Sequence, residues 1–196
     1  MSVIERYPDG DRPAGSRPAG KATDSHPRAG KARIVYRDAV PDDGADQAEV
    51  FHHAVMQGAA EHYSVEQRRA WASVLPREGS AWSARQLLRK TIVAACDGRC
   101  VGFLEIGPSI DGAGYIETLY VWPSLARRGI GSTLLLHAQR VFLEQGLSRM
   151  RIGASLMLAP RLLQRGWQQE GEEWVERGGE HLQRIRLVKR LDLVET

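Results

Sequence analysis

Cysteine is scarce in this chain: Cys96 and Cys100 are the only two, and they flank the turn-forming pair Asp97-Gly98. Their closeness would allow a strained clip or half of a metal site. No second Cys pair or His cluster lies nearby to complete tetrahedral coordination, so free, reduced thiols on the arms of a hairpin and no bound metal are expected. Long apolar runs are missing too. None approaches the roughly 20 residues of a membrane span, and the opening "MSVIERYPDGDRPAGSRPAG" has no continuous apolar segment of the secretory kind. A cytoplasmic protein without membrane contact is expected.

The chain also lacks a strong excess of one charge. Its formal net charge is +3, and residues 1–33 hold seven Lys/Arg against four Asp/Glu, which leaves the remainder balanced. A nucleic-acid partner is therefore not expected. Two nucleotide signatures are absent as well. There is no G-x-x-x-x-G-K-[ST] loop, and "GIGSTL" carries Leu134 where a dinucleotide fingerprint needs its third glycine.

What is present is enough apolar sequence, 42% of 196 residues, for one well-buried core and a spare segment. The spare segment is 1–31, which repeats "RPAG", continues as "HPRAGKAR" and offers almost no bulky apolar residue. It reads as a disordered basic tail, with one domain over 32–196. Alternation in "ARIVYRDAV" predicts a strand, and helical spacing runs through "ADQAEVFHHAVMQGAAEHY". Ser64 and Gln67 form an S-x-x-Q capping box that starts a second helix, and "SAWSARQLLRK" predicts a third, short one. "TIVAAC" and "CVGFLEI" then form a hairpin about Asp-Gly, and "GAGYIETLYVW" a further strand ended by Pro123. A long helix is predicted from Gly131 to Gln145, stopping at Gly146. "RMRIGASL" reads as a strand, "APRLLQRG" as a short helix, and "WQQEGEEWVER" with "HLQRIRLVKRL" as a closing hairpin.

The informative stretch is "YVWPSLARRGIGSTLLLHAQR". It puts Arg127 and Arg128 just ahead of a helix whose N-terminus carries roughly +0.5 of an elementary charge and several unpaired N–H groups. Two cations there are unfavourable unless an anion completes the site.

From about Arg33 to Leu193 the chain resembles the GNAT superfamily of N-acetyltransferases. The likeness is carried by "YIETLYVWPSLARRGIGSTLL", "ASLMLAPRLLQRGW" and the closing hairpin. The resemblance implies an α/β (α+β) domain with a mixed, largely antiparallel sheet of six to seven strands, about four flanking helices, and two strands splayed apart at a coenzyme A site. It implies acetyl-CoA as cosubstrate, its pyrophosphate received by backbone N–H groups from Arg127, Arg128, Gly129, Ile130, Gly131 and Ser132. The pantetheine arm would lie along backbone at Leu119, Tyr120 and Val121, near Ser155 and Met157. The Val121 N–H would polarise the thioester carbonyl. Glu117, or else Glu105, would serve as base, although either could instead be an outward-facing, solvated strand position.

Three positions depart from the family pattern. Ala126 stands at a frequent Gln, Met157 at a frequent Asn, and Leu162 at the Tyr that often protonates the departing thiolate; Tyr120 or Ser155 could substitute for that Tyr. Trp71, Trp82, Trp167 and Trp174 could line an acceptor site or belong to cores and hairpin packing. The expected activity is acetyl transfer to a primary amine of a small molecule or peptide by direct attack, in a chain that could be a homodimer. The alternatives are a catalytically weakened acyl-CoA-binding or sensing module, and an adaptor acting through the basic tail.

Overall fold

The structure is a computed structural model and describes residues 33–191. The tail expected over 1–31, and any adaptor role for it, lie outside the described residues.

Seven strands form one sheet: β1 (Ile34–Asp38), β2 (Lys90–Cys96), β3 (Arg99–Ile110), β4 (Ala113–Val121), β5 (Arg149–Ser155), β6 (Gln168–Arg177) and β7 (Glu180–Arg190). Their order is β1-β2-β3-β4-β5-β7-β6, and the β4·β5 pair alone is parallel. That parallel step requires a crossover, which the long helix α4 (Ile130–Glu144) supplies. The other helices are α1 (Gly44–His53), α2 (Val65–Ala72), α3 (Gly79–Leu88) and α5 (Ala159–Leu163). Among the described residues these five α-helices fall on the five segments with helical signals, one more than the roughly four that the resemblance implies, and the stretch around Trp82 is a ten-residue helix whose indole is buried. No helix among the described residues is long and apolar enough to cross a membrane.

Each face of the sheet buries its own core. On one face Ile92, Leu104, Ile106 and Ile116 pack against Leu134, Ala138 and Phe142 of α4, with Leu162 and Trp167 completing the cluster. On the other, Val93 and Phe103 meet Val50, Phe51 and Trp82 from α1 and α3. The alternation of β-strand side chains sorts neighbouring residues onto these two faces. Gly114 fixes the separation of β4 and α4, since a Cβ there would lie 2.3 Å from the Phe142 ring. Both cysteines are free; Cys100 is buried, and burial pushes its thiol up to about 12.

The first helix departs from its predicted length. It stops at His53, widens into a π-helical turn over Ala54–Gly58, and breaks before Ser64. Insertions of this kind re-aim side chains and cluster at functional sites. The capping box does form: the Ser64 N–H donates to Gln67 Oε1 at 3.0 Å, and the Gln67 N–H donates to Ser64 Oγ at 3.1 Å. Between these segments Tyr63 is buried, and its hydroxyl donates to the Gln183 carbonyl at 2.7 Å while accepting from the Leu156 N–H at 2.9 Å. Tyr63→Phe is expected to cost about 1–2 kcal/mol by leaving both backbone groups without that partner. A lowered denaturant midpoint at constant m-value checks this, and an unmoved midpoint refutes it.

Candidate active site

Strands β4 and β5 pair only from Gly114 to Ile116, against Met150 to Ile152. Beyond that point the two strands continue without pairing to each other, β4 to Val121 and β5 to Ser155. A bulge marks the parting: Glu105 opposes Thr118 and Ile106 opposes Ile116, so Glu117 has no partner on β3. Bulges bend and twist the strand that carries them, which turns the end of β4 away from its neighbour.

The register also decides where the backbone of β4 points. The Trp122 N–H donates to the Val101 carbonyl at 2.9 Å, and Gly102 lies opposite Val121 and Leu104 opposite Leu119. In an antiparallel ladder bonded and non-bonded pairs alternate, so the N–H and C=O groups of Leu119 and Val121 turn from β3 toward the open cleft. Their side chains pack on the α4 core, while Tyr120 turns to the opposite face against Phe51 and Phe103.

The loop from β4 to α4 ends in two left-handed residues, Arg127 at φ 66° and Gly129 at φ 88°. The first helical bond is Thr133 N–H to the Gly129 carbonyl, so the N–H groups of Ile130, Gly131 and Ser132 have no backbone partner among the described residues. Arg127, Gly129, Gly131 and Ser132 line a cavity of about 940 Å³, which continues past Leu119, Tyr120 and Val121 to Ser155 and Met157. Arg128 is exposed off the cavity wall, and the Ile130 side chain is buried in the core, so only its backbone faces the loop. Leu162 is a packed core residue at the cavity wall.

Charge is unevenly spread along this cavity. Arg127, Arg161 and Arg165 line its α4–α5 end, and none has a carboxylate partner among the described residues. At the other end stand Glu117, Tyr120, Tyr63 and Trp71. Glu117 is about one-third exposed and lies 3.6 Å from Arg89. The Trp71 Nε1–H donates to the Tyr120 hydroxyl at 3.2 Å; burial pushes that phenol up to about 12, against the pull of this bond, so it stays protonated at neutral pH.

Glu105 is placed differently from Glu117. It is 1% exposed, does not line the cavity, and accepts from Arg85 Nε at 3.0 Å, Arg85 Nη2 at 2.6 Å and Thr118 Oγ1 at 3.0 Å. Of the four tryptophans weighed for an acceptor site, Trp71 alone lines the cavity: Trp82 and Trp167 are buried in the cores, and Trp174 is 62% exposed on the edge strand. Sequence reasoning missed Arg161, in the short helix, and Arg165, in the turn that follows it, whose i, i+4 spacing was the available signal. It also missed Arg177 and Arg184, which line the cavity from the closing hairpin.

The sequence from 56 to 160 matches the family model described as Acetyltransferase (GNAT) family. The chain is 30% identical over 143 residues to the "Uncharacterized N-acetyltransferase YafP" of Escherichia coli (strain K12), covering 73% of this chain and 87% of that protein. Its fold is similar to a GCN5-related N-acetyltransferase from Rhodopseudomonas palustris, with TM-score 0.74, 28% identity, and 82% and 97% of the two chains covered. It is also similar to PaiA N-acetyltransferase from Thermoplasma acidophilum, solved in complex with coenzyme A, at TM-score 0.65 and 20% identity over 81% and 99% of the chains. The matched segment holds the parted strands and the loop that opens α4, and a match across just over half of the sequence makes this protein a member of the GNAT acetyltransferase family.

Proposed function

We propose that this chain transfers an acetyl group from acetyl-CoA directly to a primary amine of a small molecule or peptide. The observation that carries this reading is the free backbone edge of β4 at Leu119 and Val121, continuous in one cavity with the unpartnered N–H groups that open α4. The residues present fit a CoA thioester in three ways. Unpaired N–H groups at a helix start receive a diphosphate. Arg127, Arg161 and Arg165 supply cationic donors for further phosphate charge. The open strand edge offers an amide-bearing arm the hydrogen bonds of an added strand.

In this reading the Val121 N–H donates to the thioester carbonyl oxygen and stabilises the charge that develops there. Glu117 accepts the proton that the acceptor nitrogen loses as its lone pair forms the C–N bond. The C–S bond breaks with its electron pair on sulfur, and Tyr120, a cavity-lining phenol that is protonated at neutral pH, returns a proton to the thiolate. With a thiol pKa of about 8.5 the leaving group is already fair, so Leu162 in place of a tyrosine is tolerable.

Calorimetry with acetyl-CoA, followed by free-thiol release over a panel of amines, tests the proposal. Gly131→Asp makes a sharper probe. A Cβ at Gly131 meets Val121 and Leu119 at ordinary contact distances of 3.8 and 3.9 Å, and an acidic residue in the first turn suits the helix. The same carboxylate would repel a bound diphosphate. Acetyl-CoA affinity is expected to fall about 30-fold, close to 2 kcal/mol, with the melting temperature unchanged or raised. Undiminished affinity would remove the loop from the binding site.

A second reading, an acyl-CoA sensor with little turnover, is favoured by Met157 and Leu162, which stand at the cavity wall where the family often has Asn and Tyr. Binding of acetyl-CoA without thiol release on any acceptor would select it.

A further inference from the structure

The hairpin wall of the cavity carries charge that acetyl transfer itself does not use. In β6 and β7, Glu173 opposes Arg184, Val175 opposes Leu182, and Arg177 opposes Glu180, so these six side chains share one face. That face packs toward Ala59, Tyr63, Trp71 and Met157, on the side of the sheet away from α4. Val175, Arg177, Leu182 and Arg184 all line the cavity. Two guanidinium groups therefore flank an apolar pair at the acceptor end.

Both arginines have donors to spare. Arg184 Nη2 donates to Glu173 Oε1 at 2.6 Å, but its Nε is buried and bonds to nothing among the described residues. That atom is shielded from any ligand, so the donors open to one belong to Nη1, which has no bond among the described residues either. Gly153 of β5 makes room for this side chain, since a Cβ there would lie 2.7 Å from Glu173 and 2.9 Å from the Arg184 guanidinium carbon. Arg177 donates to the Glu176 carbonyl oxygen at 3.2 Å and has no carboxylate within 4 Å among the described residues. Both arginines share the wall of one cavity with Tyr120 and Glu117.

Resting on the transferase reading, we propose that the acceptor is a small amino carboxylate: its nitrogen lies toward Glu117, its carboxylate is held by Arg177 and Arg184, and its carbon skeleton lies against Trp71, Val175 and Leu182. The arrangement matches that molecule group for group. Guanidinium donors bind carboxylates through charge-assisted, often paired hydrogen bonds, and they do so most strongly where apolar walls exclude water. The acceptor is bound through its carboxylate, and the bonds made and broken are those of the transfer already described.

The test compares α- and ω-amino acids with their own carboxamides at saturating acetyl-CoA, reading thiol release. The best acid is expected to exceed its amide by about tenfold or more in kcat/KM, because a site built for a carboxylate is left with unpaired donors by the amide. Arg177→Gln should cut this ratio several-fold through KM, with the KM for acetyl-CoA and the melting temperature unmoved. Arg184→Gln should do the same, but its contact with Glu173 ties it to the hairpin, so Arg177→Gln carries the test. Amides or carboxylate-free amines turned over as well as the acids would overturn the inference and leave the transferase intact. An unchanged ratio in Arg177→Gln would overturn it too. Should no acid turn over, equal heats for acids and amides titrated into the coenzyme A complex overturn it. Failure to bind acetyl-CoA instead defeats the transferase reading.

Discussion

Glu117→Gln is expected to lower kcat/KM for the amine by about 10²- to 10⁴-fold, the range typical for loss of a general base. The bulge presents this side chain to the cavity without a β3 residue opposite it, and a glutamine keeps the shape while removing the proton acceptor. Acetyl-CoA affinity should not change, since the side chain stands at the other end of the cavity from α4. The residual rate of the variant should climb with pH in step with the free-amine fraction, because the acceptor must then lose its proton in solution. The ion pair with Arg89 at 3.6 Å is partly exposed and contributes little to stability, so the variant should melt with the parent. A wild-type rate and an unchanged pH profile would show that Glu117 takes no proton.

The second large effect is on stability. Arg85→Met should destabilise the fold by about 3 kcal/mol, because it leaves the Glu105 carboxylate buried with only the Thr118 hydroxyl. For a chain of this length that lowers the melting temperature by roughly 6–12 °C. The double variant Arg85→Met/Glu105→Leu should recover most of the loss, since a buried ion pair replaced by apolar side chains of similar volume is often neutral or stabilising. Thermal melts of the three proteins decide it. A single variant as stable as the parent would show that Glu105 needs no counter-charge, and a double variant no better than the single would show that packing, not charge, is at stake.

These two carboxylates also mark what the sequence could and could not disclose. Both read as acids on adjacent strands, twelve positions apart, with nothing local to separate them. What separates them is Arg85, brought onto Glu105 from α3, and a one-residue slip in the β3–β4 register that aims Glu117 at the cavity. Both are long-range facts. The Ser64–Gln67 box, by contrast, was readable because every atom involved lies within four residues. The succession of strands and helices and the loop before α4 were legible through the family resemblance together with period and turn residues, whereas the order of the strands in the sheet was not read. The interruption of the first helix was not: apolar spacing continues through Ala54–Gly58, so only packing against the rest of the fold reveals the π-helical turn. Arg177 and Arg184 were hidden similarly, since which face of a hairpin looks inward depends on what it meets.

Three residue pairs, Gly114 with Met150 through Ile116 with Ile152, join the two halves of the sheet. Past them no ladder bond crosses the gap, while β3–β4 on one bank and β5–β7 on the other are knit along most of their length. The core shared with α4, including Phe142 seated on Gly114, holds the two banks together beneath that short seam. Admitting a slender thioester arm or releasing a product then requires no backbone hydrogen bond to be given up.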